Sequence, residues 1–358
     1  MQQYLLPALF AFVLTFGLIR GALKLFPKIG LMDRPHKYGL KREPIPYYGG
    51  TLIVIAFMVS VFLFVPMQDK VMGLLLGAIL IAGVSFMDDL QGLSPWLRLG
   101  VQVLSALILV GAGIGIHSIT NPFGAPIIFD GWMVSVTIDQ VYQISLMATL
   151  FTIIWVVAIV NTMNWLDGLN GLPSGVTTIA ALTLFFLSIR PGLHFDPASQ
   201  VPVATMSIIL CACAFAFWLH DFYPAKILMG DTGSMFFGYL VAALAIFSGG
   251  KVATAFLVLG FPILDAGWVI IRRLLQKKSP MKGDLKHFHH RLLESGFSQR
   301  KALVLIYALC AVFGGTAVLL EGQQKVYAVF VLLVLMVVLG TMAVYMGGKK
   351  KGDVSARR

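Results

Sequence analysis

Charge is what this sequence has least of. Only 12% of its 358 residues are Asp, Glu, Lys or Arg, where a soluble domain carries about a quarter. With 58% hydrophobic residues and a mean hydropathy of +0.87, that scarcity excludes a soluble protein. Cysteine is scarce too: Cys211, Cys213 and Cys310 all lie inside apolar runs. Cys211 and Cys213 are two apart, so they point to different helix faces, and no partner follows at zinc spacing. The three read as small buried hydrophobes. No fixed-period repeat and no soluble domain is visible. Acidic residues number 16 against 27 basic ones, a net charge of +11. That surplus does not call for nucleic acid, because the basic residues sit between apolar runs, where membrane orientation explains them.

What the chain has is length of apolar sequence. A spanning helix needs about 20 mostly apolar residues. Such runs fall at 4–26, 49–66, 71–87, 97–115, 141–160, 174–190, 202–219, 234–249, 252–271, 301–320 and 326–346. They predict an all-α integral membrane protein with about eleven transmembrane helices. The expected organisation is a single polytopic domain over 1–346, with a His-rich loop at 277–300 and a basic tail at 347–358. The first run has no Lys or Arg ahead of it and no small-residue cleavage site, so it reads as a retained helix. Numbering the loops alternately from an outside N-terminus leaves only Lys70, Arg190, Lys251 and Lys325 of the 27 Lys and Arg outside. The N-terminus is therefore expected outside and the C-terminus in the cytoplasm. Outside loops are short except 116–140. There Pro126–Phe129 and Trp132–Ile138, joined by Asp130-Gly131, predict a β-hairpin capping the external face.

The chemistry gathers on the other face. Asn161, Asn164, Asp167 and Asn170 recur every third residue, which on a helix keeps them on one slowly drifting face. Amides and a carboxylate at a membrane helix end are costly unless they meet water, a ligand or a metal. A helix cap with a solvated turn is the plainer reading. Asp88-Asp89 closes the third run, and adjacent carboxylates call for a nearby cation. A helix-end charge or a cap explains that pair equally well. Asp231, in Met229-Gly-Asp-Thr-Gly-Ser234, stands where an N-cap would. His287-Phe-His-His290 lies in a basic loop after Asp284, suited to solvent, anionic lipid heads or a diphosphate. Asp265 is an acid inside the ninth run, by default a functional residue; Arg272 and Arg273 offer it an internal partner, and a helix-packing hydrogen bond serves as well. Taken together, Asp88, Asp89, Asp167 and Asp231 at cytoplasmic ends form a hard-oxygen set that suits Mg²⁺ shared with phosphates. With basic groups around it, this points to phosphoryl transfer to a membrane lipid.

These residues resemble, in motif order over nearly the whole chain, the polyprenyl-phosphate N-acetylhexosamine-1-phosphate transferases. The resemblance rests on Asp33 with Pro44–Gly50, on Asp88-Asp89, on Asn161–Leu172, on Met229–Ser234 and on His287-Phe-His-His290-Arg-Leu. It implies transfer of a sugar 1-phosphate from a UDP-sugar to undecaprenyl phosphate, with release of UMP and dependence on Mg²⁺, Mn²⁺ being the alternative ion. It implies a multi-pass protein of the bacterial cytoplasmic membrane with its active site on the cytoplasmic face. By position, Asp231 and Asp167 would ligate the metal. Asp88 would activate the lipid phosphate or act as nucleophile, and Asp89 would assist. Asn164, Asp167, Asn170 and Asp221 would line the nucleotide site, Lys41 or Arg42 would reach the nucleotide, and His287, His289 and His290 would hold diphosphate or sugar. The His-x-His-His form with Pro-Ile-Pro is similar to the GlcNAc-1-phosphate branch, which starts O-antigen, teichoic acid or related glycans. The implied partners are a UDP-N-acetylhexosamine, undecaprenyl phosphate and membrane lipids, with a homodimer as the oligomer to test. Three positions depart: Asn170 stands where Asp is usual, Asp221 where Asn is usual, and Leu285 where Arg is expected.

Two rivals remain at this level. Another UDP-N-acetylhexosamine or UDP-MurNAc-pentapeptide would serve the same chemistry. A transporter would place its charges near the bilayer midplane, on broken helices in repeated halves; here the acids cluster at one face and no repeat is visible.

Overall fold

The computed structural model describes residues 1–38, 42–119, 121, 124–129, 131–137, 141–191, 197–248, 256–277 and 287–355. They form two compact units, Met1–Val252 and Ala253–Arg358.

The first unit holds α1 (Gln2–Ile29), α2 (Gly49–Phe64), α3 (Asp69–Gln91), α4 (Pro95–Gly111), α5 (Leu146–Leu166), α6 (Leu172–Ser188), α7 (Val201–Asp221) and α8 (Gly230–Phe247). The second holds α9 (Gly260–Leu275), the short α10 (Phe288–Glu294), α11 (Gln299–Leu319) and α12 (Gln323–Ser355). Each of the apolar runs read from the sequence therefore contains a helix. Among the described residues, seven stretches are long and apolar enough to cross a membrane: Gln2–Ile29, Asp69–Gln91, Leu146–Leu166, Pro197–Asp221, Gly230–Phe247, Gln299–Leu319 and Gln323–Met342. Gly49–Phe64, Pro95–Gly111 and Leu172–Ser188 are shorter apolar helices.

In the first unit α8 is the central helix. It is apolar around its whole circumference and is buried from Thr232 to Ala245, as such a helix must be. It packs against α2, α3, α5, α6 and α7. Gly50 of α2 lets it approach closely: a Cβ there would lie 2.2 Å from the Gly233 nitrogen. Tyr239 fixes α8 to α3 by donating to the Leu74 carbonyl at 3.1 Å. Hydroxyls inside these helices mostly bond back one turn, as Thr15 to Ala11 and Ser60 to Ala56 do, so they need no partner from lipid.

The expected hairpin needs correcting. Both β runs are strands, but they do not pair with each other. β1 (Ser118–Ile119) pairs with β2 (Ile127–Ile128), and β3 (Met133–Thr137) pairs antiparallel with β4 (Val141–Ser145). Phe129 is the reason. Its N–H donates to the His117 carbonyl at 2.9 Å, its carbonyl accepts from the Ser145 hydroxyl, and its ring stacks on Phe151 at 4.3 Å. These contacts hold one run between the segment that follows α4 and the start of α5, and leave the other to pair with the strand that enters α5. The fifth helix accordingly begins at Leu146, after β4, rather than at 141. Asp130 of the expected turn lies outside the described residues.

Candidate active site

One end of the first unit brings together the C-terminal turns of α3 and α5 with the N-terminal turns of α4 and α8. Local sequence explains each. Ser94 caps α4 through the Leu97 N–H, with Pro95 at its first turn, the usual start signal. That start places Arg98 one turn in. α8 begins at Gly230, so Asp231 stands in its first turn, where a carboxylate meets the positive end of the helix dipole. Gly230 has φ +71°, and a Cβ on it would lie 2.7 Å from an Asp89 oxygen. Glycine is required there both for its backbone angle and for that approach.

The acidic pair divides its work. Asp89 accepts four bonds: from the Tyr47 hydroxyl at 2.9 Å, the Asp231 N–H at 2.9 Å, the Thr232 N–H at 3.0 Å and the Thr232 hydroxyl at 2.6 Å. Its oxygens hold the start of α8 in place. Buried Asp88 accepts from the Leu93 N–H at 2.5 Å and from Arg98 at 2.7 Å. The same Arg98 nitrogen lies 3.1 Å from Asp231 Oδ2. Arg98 thus bridges the two carboxylates, and it is the cation that the acidic pair calls for. Sequence reading credited Arg98 only to membrane orientation. Its signal was its isolation, as the single Lys or Arg between Lys70 and Arg190, ten residues after Asp88.

Asn164 donates to Asp231 Oδ1 at 2.9 Å and to the Ser234 hydroxyl at 3.1 Å, so the Asn-rich motif and the Gly-Asp-x-Gly-Ser motif share one cluster. Asn161 does something else: it donates to Gln102 of α4 at 2.7 Å. Asp167 follows α5 and is half-buried. Removal from water and the charges of Asp221, Asp231 and Asp89 hold its carboxyl well above the usual carboxylate range. Buried Asp221 accepts from the Gly171 N–H at 3.1 Å and the Ser174 hydroxyl at 2.8 Å. It therefore fixes the turn that begins at Asn170. One of the two exchanged positions thus bonds the residue next to the other.

The loop after α1 joins the site through its backbone. Gly49 and Gly50 donate to the Leu228 and Met229 carbonyls at 2.9 Å each, and Leu228 donates to Pro46 at 2.9 Å. Beside the Asp89 charge, burial pushes the Tyr47 hydroxyl up from its ordinary value, burial being the larger cause. Arg42 forms a fork with Asp33, at 3.2 and 2.5 Å. Asp33 Oδ1 also takes the Ile45 N–H at 2.7 Å. Lys41 lies outside the described residues.

The His motif belongs to the second unit. His287 and His289 are buried, with parallel rings 5.7 Å apart, and His290 is 4.2 Å from His289. Burial, then the two neighbouring histidines, lower the His289 pKa to about 3.

Among the described residues no three His, Cys, Asp or Glu side chains gather into a ready metal cage. Asp231, with Asn164 beside it and Asp167 nearby in sequence motif, is instead a sparse hard-oxygen set. Mg²⁺ accepts such a set, because substrate phosphates and water complete its shell. The donor chemistry fits that ion.

Comparison with known proteins points the same way. The profile of glycosyl transferase family 4 matches residues 71–249. A probable undecaprenyl-phosphate N-acetylglucosaminyl 1-phosphate transferase of Bacillus subtilis is 28% identical over 324 residues, covering 88% of this chain and 84% of the relative. An undecaprenyl-phosphate alpha-N-acetylglucosaminyl 1-phosphate transferase of Pasteurella multocida is 31% identical over 329 residues, covering 86% and 85%. A decaprenyl-phosphate N-acetylglucosaminephosphotransferase of Mycolicibacterium smegmatis is 28% identical over 336 residues, covering 86% and 79%.

Proposed function

The chain belongs to glycosyl transferase family 4, and from that premise we propose that it transfers N-acetylglucosamine 1-phosphate from UDP-GlcNAc to undecaprenyl phosphate, releasing UMP. The carrying observation is the meeting of Asp88, Asp231, Asn164 and Arg98, from four helices, at one end of the first unit. The relatives' names supply the sugar and the lipid class.

In the reaction an oxygen of the lipid phosphate attacks the phosphorus bonded to the sugar. The bond from that phosphorus to the bridging oxygen breaks, and UMP leaves with the oxygen. Arg98 neutralises the entering lipid phosphate, and Asp88 takes its remaining proton. Asp89 holds the start of α8 so that Asp231 and Asn164 keep their positions. Mg²⁺, held by Asp231 and Asp167, would neutralise the diphosphate charge. The His motif binds the sugar nucleotide, and Asp221 shapes the turn at Asn170 for the same substrate. The eleven-helix span, with the N-terminus outside and these motifs at the cytoplasmic face, is part of the proposal, supported by the Lys and Arg distribution.

Protein purified in detergent, given undecaprenyl phosphate and Mg²⁺, should release UMP from UDP-GlcNAc and not from other UDP-sugars. Chelation of Mg²⁺, Asp88→Asn and Asp231→Asn should each abolish release. UMP from a different UDP-N-acetylhexosamine or from UDP-MurNAc-pentapeptide would replace the sugar but keep the chemistry. No release from any donor would overturn the reading.

A further inference from the structure

An acid inside an apolar helix needs a partner or it loses its charge. Asp265 is such an acid, in the second turn of α9 and only 3% exposed. Its Oδ1 accepts the Phe288 N–H at 2.7 Å, and its Oδ2 lies 3.0 Å from His287 Nδ1. One turn earlier in α9, Phe261 meets Phe288 edge-on at 5.7 Å. α9 therefore fixes both the backbone that opens α10 and the ring just before it. A carboxylate accepts hydrogen bonds, and the donor that this pairing calls for is an N–H at His287 Nδ1. Nε2 is then the ring atom that His287 brings to ligand chemistry, accepting when the ring is neutral and donating when it is charged. The parallel His287 and His289 rings extend that fixed orientation into the rest of the motif.

We propose that Asp265 is a positioning residue of the transferase: through Nδ1 it orients His287 so that Nε2 meets the sugar nucleotide. The proposal rests on the transferase reading above. A carboxylate that orients a functional histidine in this way commonly matters as much as the histidine's own contacts.

Asp265→Asn is the test. Asn keeps the side-chain volume and can still accept the Phe288 N–H through its oxygen. Its amide nitrogen is a donor, so it demands a bare Nδ1 and reverses the His287 tautomer. The variant should melt near the wild-type temperature and lose turnover by about 10- to 100-fold. Added to His287→Ala, it should cost nothing more. ¹⁵N spectra of histidine-labelled protein, with His287 assigned from the His287→Ala spectrum, should show the proton move from Nδ1 to Nε2. Wild-type turnover in Asp265→Asn, an additional loss on top of His287→Ala, or unchanged His287 nitrogen shifts would each overturn the proposal. The spectrum requires no turnover. An inactive wild type would sink the transferase reading, whereas unchanged shifts would sink this one.

Discussion

The Asp89 carboxylate accepts the backbone N–H of Asp231 at 2.9 Å, so one member of the acidic pair sets the position of the acid opposite. Three further donors from Tyr47 and Thr232 complete its coordination. Asp89→Asn would turn an amide N–H₂ toward donors that need an acceptor. Hydrogen bonds to a charged group contribute about 1.5–3 kcal/mol. We expect Asp89→Asn to lower both the melting temperature and UMP release, and Asp88→Asn to lower UMP release while melting much closer to wild type. Thermal unfolding beside the transferase assay separates the two. Equal melting of both variants would remove the structural role assigned to Asp89.

Arg98 joins Asp88 to Asp231. If it meets the lipid phosphate, Arg98→Gln should reduce kcat/KM for undecaprenyl phosphate by roughly 100-fold, the usual effect of removing one charge-stabilising donor. KM for UDP-GlcNAc should change little. Arg98→Lys should recover part of the loss, because a point charge replaces a planar fork. A loss confined to KM for UDP-GlcNAc would assign Arg98 to the nucleotide instead.

The motifs were legible because their spacing is dictated locally. Gly230 and Gly233 mark a close backbone approach, and Asp231 marks a helix start. What sequence could not supply was choice of partner. Asn161 and Asn164 share a helix and a period, yet one turns to Gln102 and the other to Asp231; which neighbour each meets depends on how α4 and α8 pack around α5. Arg98 was hidden because orientation alone accounts for a lone cation at the end of a span. The strand pairing was misread because Asp130-Gly131 is a valid turn signal, and only the burial of Phe129 against Phe151 overrides it. Asp265 was recognisable as an intramembrane acid, but its partner lies 22 residues on.

The crossing of α2 and α8 supplies a steric prediction. A Cβ on Gly50 would meet the Gly233 nitrogen at 2.2 Å and its Cα at 2.6 Å. Backbone cannot move aside as a side chain can. Overpacking of this kind costs about 1–3 kcal/mol. Gly50→Ala should therefore lower the melting temperature and, by shifting the first turn of α8, reduce turnover. Gly83→Ala, in α3 with nothing within 4 Å of its Cβ position, should leave both near wild type. Equal behaviour of the two variants would mean that the α2–α8 contact is looser than the structure has it.

His289 makes folding depend on pH. Its ring is fully buried, and neither nitrogen has a hydrogen-bond partner among the described residues. Its pKa falls to about 3, chiefly through burial, against about 6.5 in an unfolded chain. The folded state therefore binds fewer protons than the unfolded state between those values. Stability from the neutral ring is complete above about pH 6.5 and declines as pH falls toward 3, by at most about 1.4 kcal/mol per pH unit. His289→Phe removes the titrating group while filling the space with a ring. Melting temperatures measured from pH 7.5 down to 4.5 should fall more steeply for wild type than for His289→Phe, with the two curves converging in slope above pH 7. Parallel curves across the range would show that the ring takes up its proton in the folded protein, and that the site is open enough for water to reach it.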